Sequence, residues 1–184
     1  MIIMNKELLS RKKMRLIGHD YSGVGAYFVT LCAKDRHELL GEIIVGDAPL
    51  RVPQVRLSEY GIFVDAQIQK TSHIYPHVLI GNYVIMPNHV HMIAILKDRS
   101  GGGVADEPSR GVVGGPRRGA APTKAVIPQI VQSLKSMTTK QFGFNMWQRS
   151  YHDHIIRDQA DYQRIWQYID ENPIRWAEDC YYTV

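Results

Sequence analysis

Tyr83-Val84-Ile85-Met86-Pro87-Asn88-His89-Val90-His91-Met92-Ile93-Ala94-Ile95-Leu96 decides how this chain is read: two apolar, strand-forming runs meet at one Met-Pro-Asn step. Proline has no N–H for a sheet ladder, so the chain must bend at Pro87-Asn88 and the two runs fold back as an antiparallel pair. Alternate side chains of a strand face opposite ways, which puts His89 and His91 on one face and Val90 and Met92 on the other. At a rise of ~3.3 Å per residue the two imidazoles lie about 6–7 Å apart along one rigid strand, close enough to share a metal ion. Two histidines resting on a polar sheet face are the alternative, and the pattern alone leaves both open.

The rest of the chain frames that pair. At 184 residues it is long enough for one domain with a sizeable core. A hydrophobic fraction of 45% and a charged fraction of 22% are those of a globular protein, and the net charge of +4 leaves room for a polyanionic partner. The start lacks a basic segment followed by an apolar leader core, and no apolar run approaches ~18 residues. Cys32 and Cys180 show no pairing pattern. Both read as reduced thiols, and the expected location is cytoplasmic, with no membrane contact. Lys6, Arg11, Lys12, Lys13 and Arg15 make residues 1–20 a basic arm.

Ala26-Tyr27-Phe28-Val29-Thr30-Leu31-Cys32-Ala33 is rich in β-branched and aromatic residues and reads as a central strand, with Glu42-Ile43-Ile44-Val45 as a short one. A helix is expected from Ser58, its cap, to Lys70, with Ile62, Phe63 and Ala66 inward and Gly61 counting slightly against it. Residues 98–123 hold seven glycines, three prolines and four arginines with almost no large apolar side chain. Such a stretch cannot offset the entropy of ordering itself, so it reads as a flexible insert within one domain spanning 1–184. Helical spacing returns at 128–141, where Ile130, Val131, Leu134 and Met137 form a stripe and Lys135 and Lys140 stay outside it. Residues 145–149 and 151–156 read as irregular extended segments. They carry a second His-x-His, His152 and His154, that competes for the metal. The last helix is capped by Asp158 and ended by Pro173. Tyr162, Ile165, Trp166 and Ile169 form its inner stripe. Tyr168 and Asn172 lie one turn apart on its polar flank and can reach the same point.

Three motifs in order, Met-Pro-Asn-His-Val-His, Trp-Gln-Arg-Ser-Tyr-x-x-His-x-Ile-Arg and Tyr-Ile-x-x-Asn-Pro, resemble those of the REP-associated tyrosine transposases, a branch of the single-tyrosine HUH transposases. The likeness runs from about residue 11 to residue 176, interrupted by the insert. It implies a ferredoxin-like α+β fold with helices packed on an antiparallel sheet. It also implies cleavage of single-stranded DNA at hairpin-associated sites through a 5′-phosphotyrosine. Carried over residue by residue, Tyr168 is the nucleophile, and His89, His91 and Asn172 hold a divalent ion, Mg²⁺ or Mn²⁺. Arg11, Lys12, Lys13, Lys135, Gln148, Arg149, His154 and Arg157 contact DNA, the partners being REP-like palindromic hairpins. The broader insertion-sequence branch carries Gln where Asn172 stands and forms dimers, whereas the REP-associated branch is monomeric; monomer and homodimer both remain open. Two other classes use the same residues differently. A zinc-dependent hydrolase would employ both His-x-His pairs with Asp153 and water as nucleophile. A non-catalytic module would only stack single-stranded bases.

Overall fold

The computed structural model describes residues 23–45, 53–98 and 125–182. Its elements, in chain order, are β1 (Gly25–Cys32), β2 (Gly41–Val45), β3 (Pro53–Leu57), α1 (Glu59–Ile74), β4 (Val78–Ile85), β5 (His89–Leu96), α2 (Val126–Phe142), β6 (His152–Ile156) and α3 (Gln159–Glu171). One sheet has the order β4-β5-β1-β6, every neighbour antiparallel, while β2 and β3 pair with each other alone. With that hairpin set aside, the run β-α-β-β-α-β is the expected ferredoxin-like α+β arrangement, and α3 is added after it.

Period-two alternation sorts the sheet into two faces. Tyr27, Val29 and Leu31 of β1 and Val90, Met92 and Ala94 of β5 pack against Val64 and Ile68 of α1 and Ile127, Ile130 and Leu134 of α2. Each such aliphatic side chain contributes about 1.5–3 kcal/mol on full burial. The opposite face carries Ile93, on which Ile165 and Ile169 of α3 rest, with Phe28, Val84 and Ile95 around them. A bulge in β4 between Ile80 and Tyr83 helps to set the docking of α3. Asn82 lies in it and donates to the Trp166 carbonyl at 3.3 Å and to Asp170 at 2.7 Å.

Several sequence expectations are corrected. The buried side of α1 is Gly61, Val64, Ile68 and Thr71, while Ile62 is exposed. Gly61 supports this helix because a Cβ there would lie 2.1 Å from the Leu40 carbonyl oxygen, an approach that only glycine permits. Met137 and Trp166 are also exposed: α2 turns Thr138 inward to accept a hydrogen bond from the buried Trp147 indole, and Trp166 lies against Tyr162, which itself packs on the Ile93, Ile165 and Ile169 cluster as expected. Residues 152–156, expected as an irregular extended segment, are extended but regular: they form the edge strand β6, paired along β1. The expected caps hold: Ser58 accepts from Gly61 N and Asp158 from Asp161 N. The basic arm and residues 99–123 of the expected insert lie outside the described residues.

Candidate active site

The turn between β4 and β5 is tied down on both sides before its histidines are placed. Met86 N donates to the His89 carbonyl (2.8 Å), Ala33 N to Asn88 O (2.8 Å) and Leu40 N to Pro87 O (2.9 Å). His89 and His91 then project from the α3 face of β5 with ring centroids 4.4 Å apart. They are not on an open polar face. Their exposures are 0% and 1%, because the chain after α3 folds back over them. Tyr181 and Trp176 stack on His89 at 4.6 and 5.8 Å, and Phe28 and Tyr168 lie against His91, each at 5.1 Å.

The hydrogen bonds point these rings. Thr30 Oγ1, across from His91 in the β1–β5 register, is 2.8 Å from His91 Nδ1, and Asn88 Oδ1 is 2.9 Å from His89 Nδ1. Both Nε2 atoms therefore face the space beneath α3. There the Tyr168 hydroxyl lies 3.2 Å from His91 Nε2 and donates to Asp179 Oδ2, also at 3.2 Å. The same carboxylate oxygen accepts from Asn172 Nδ2 at 2.7 Å. Tyr168 and Asn172, four residues apart on α3, thus converge as their spacing predicts.

Two buried polar atoms in this space, His89 Nε2 and Asn172 Oδ1, have no hydrogen-bond partner. Such atoms are costly unless something else satisfies them. His89, His91 and Asp179 can each offer a ligand atom, all within 4.8 Å of one another. Imidazole nitrogens with carboxylate and amide oxygens form a donor set that suits a divalent cation. The residues therefore fit the ion that the motifs imply. Asp179 was missed from sequence, because it lies beyond the helix in an irregular segment and no spacing marks it.

Burial pushes both imidazoles down: His89 falls to about 4 against the opposing pull of Asp179 and Asn172, and His91 is lowered further by its neighbour His89. Burial, then Asp179, push the Tyr168 phenol above its ordinary range. The histidine shifts predict a pH effect on the metal-free protein. Both rings are neutral in the fold but protonate in the unfolded chain below about 6.5, so the unfolded state binds more protons as pH falls. Stability should be full above pH 7 and decline toward pH 4, by up to about 1.4 kcal/mol per pH unit for each ring. Melting temperatures across that range check this, and His89→Gln should flatten the slope.

The other predicted residues do not gather at one point. Arg11, Lys12 and Lys13 lie outside the described residues. The Lys135 ammonium donates to the carbonyls of Gln148 (2.7 Å), Ser150 (3.0 Å) and Arg149 (3.4 Å), so it clamps this loop from within. The loop abuts the histidine end of β1, where Gln148 N donates to Cys32 O, and leaves Arg149 exposed. His154 is held by Asp161 at 2.8 Å, and Arg157 follows the far end of β6, past the Ala26–Ile156 pair. The second histidine pair is separated from the first by β1, since His152 registers with Thr30 and Thr30 with His91. Two strand spacings amount to about 10 Å, too far for one ion. Asp153 registers with Val29, on the opposite face.

Fold and site together define a ferredoxin-like α+β protein whose paired histidines face a tyrosine carried on a packed helix. Among solved structures, a REP-associated tyrosine transposase bound to a REP hairpin has a similar fold, with a TM-score of 0.52 and 21% identity over 83% of this chain and 68% of that one. A candidate transposase of Deinococcus radiodurans R1 aligns with a TM-score of 0.42 and 18% identity over 85% of this chain and 97% of that one. No family model matches the chain. An uncharacterized protein of Haemophilus influenzae (strain ATCC 51907 / DSM 11121 / KW20 / Rd) is 32% identical over 184 residues, covering 97% of each chain. The chain belongs to the same family as that protein.

Proposed function

We propose that this protein is a metal-dependent single-stranded DNA endonuclease and strand transferase of the REP-associated tyrosine transposase type. The observation that carries the reading is the convergence of the Tyr168 hydroxyl on His91 Nε2 and Asp179 Oδ2, beside the unpartnered His89 Nε2 and Asn172 Oδ1. His89, His91 and Asn172 would hold a divalent ion, Mg²⁺ or Mn²⁺, with Asp179 beside them. When bound, the ion would polarise a phosphate oxygen and draw off developing negative charge. Tyr168 supplies the nucleophile. Its oxygen forms the bond to phosphorus, the P–O bond to the 3′ oxygen breaks, and the products are a 5′-phosphotyrosine and a free 3′-hydroxyl. Asp179 Oδ2, already accepting the phenolic hydrogen bond, takes the phenol's proton and returns it to the departing 3′ oxygen, which leaves as the hydroxyl and restores the carboxylate. Because the phosphotyrosine retains the energy of the cleaved bond, a second 3′-hydroxyl can attack it and restore a phosphodiester without ATP.

The phosphate must enter between a sheet face and a helix, which a paired duplex fits poorly. The expected substrate is therefore single-stranded DNA beside a hairpin stem, like the REP hairpin bound by the structural neighbour. Arg149, Gln148 and the basic arm would hold its backbone, with affinity falling steeply as salt rises. Labelled hairpin DNA with a single-stranded flank, incubated with Mn²⁺ or Mg²⁺ and resolved by denaturing electrophoresis, tests this. A nick and a protein-linked 5′ fragment are expected, with at least tenfold less product from fully paired duplex of the same sequence. Equal cleavage of duplex would refute the substrate assignment. Cleavage without an adduct would point to a hydrolase, and binding without cleavage to a non-catalytic module.

A further inference from the structure

We infer that Asn88 is a positioning residue that holds His89 in the tautomer carrying its proton on Nδ1, so that the Nε2 lone pair is turned into the site. The functional consequence rests on the metal reading above, but the tautomer follows from hydrogen-bond accounting alone.

Asn88 is fully buried in the turn that precedes β5. Its Nδ2 donates to two backbone carbonyls, Tyr181 O at 2.8 Å and Arg36 O at 3.2 Å. Carbonyl oxygens only accept, so the amide nitrogen must lie on their side and the orientation of the side chain is settled. Oδ1 is then the atom 2.9 Å from His89 Nδ1, and it too can only accept. Nδ1 must therefore carry the hydrogen. A neutral imidazole has one N–H, which leaves Nε2 with its lone pair and, in the fold, no hydrogen-bond partner. The ring could satisfy Asn88 in no other neutral form.

His91 is treated differently. Its Nδ1 meets the Thr30 hydroxyl, which can donate as readily as accept, so that contact does not choose a tautomer. Asn88 also does a second thing with the same amide. By holding Arg36 O and Tyr181 O it joins the turn after β1 and the returning C-terminal segment to the histidine turn. The orientation of His89 is thereby coupled to the segment that carries Asp179, whose Oδ1 accepts from Tyr181 N at 2.7 Å.

The first measurement uses the intact metal-free protein. Long-range ¹H–¹⁵N spectra of ¹⁵N-histidine-labelled protein, with His89 assigned by comparison with His89→Gln, should show Nδ1 protonated and Nε2 bare. A protonated Nε2 on neutral His89 would overturn the inference. The second measurement titrates Mn²⁺ alone, by electron paramagnetic resonance, into wild type, Asn88→Ala and Asn88→Asp. Loss of an outer partner of a histidine ligand typically weakens a site ten- to a hundredfold. Asn88→Ala should fall in that range, and Asn88→Asp, which keeps an acceptor against Nδ1, should lose less. An alanine variant that binds Mn²⁺ as tightly as wild type would sink the positioning role. If the alanine variant does not fold, the wild-type spectrum decides the question. Failure of the metal reading looks different: wild type itself would bind no Mn²⁺ while His89 still showed the Nδ1–H form.

Discussion

Tyr168→Phe is expected to eliminate both DNA cleavage and the covalent adduct while leaving the fold, Mn²⁺ binding and hairpin binding in place. The substitution removes one oxygen from a ring that is 40% exposed, so its stability cost should stay within about 1 kcal/mol. Tyr162 lies on the edge shared with Trp166, and the hydroxyl that meets His91 and Asp179 belongs to Tyr168. Loss of a covalent nucleophile elsewhere costs roughly a millionfold in rate, so single-turnover assays should find no product above background. A water-using zinc enzyme would still cleave as the Phe variant, which makes this substitution decisive between chemistries. If the variant still forms a denaturant-resistant link to a 5′ phosphate, the nucleophile is another tyrosine, with Tyr162 and Tyr151 the next to test.

His89→Ala and His91→Ala should each lower cleavage by about a hundredfold or more at saturating DNA, the loss typical of removing a group that stabilises transition-state charge. Mn²⁺ binding should weaken in parallel. Both rings are buried, and each removal strands a partner, Asn88 Oδ1 or Thr30 Oγ1. A stability cost of about 1–3 kcal/mol is therefore expected, which at this chain length lowers the melting temperature by about 2–4 °C per kcal/mol. Cleavage assays run well below that lowered midpoint separate the two effects. Wild-type cleavage by either variant would remove the histidine pair from the mechanism.

The residues by themselves determined whatever depends on near neighbours in the chain. Alternation along His89-Val90-His91-Met92 sufficed to put both imidazoles on one strand face, because side-chain direction in a strand is local geometry. Ser58 and Asp158 marked helix starts for the same reason, since a cap bonds to a backbone N–H only three residues on. The helical spacing of Tyr168 and Asn172 likewise anticipated that they reach one place. Tertiary structure decided the rest. Gly61 faces inward only because Leu40 passes close to it, and residues 152–156 become a strand only because β1 offers them an open edge. The separation of the two histidine pairs by a whole strand is a matter of sheet order, which no His-x-His spacing encodes. Burial of the first pair and the arrival of Asp179 both follow from the path of the chain after α3, where no periodicity exists to be read. Contacts between residues distant in sequence arise from register and chain return, so the carboxylate that meets both Tyr168 and Asn172 could be found only once the chain was folded.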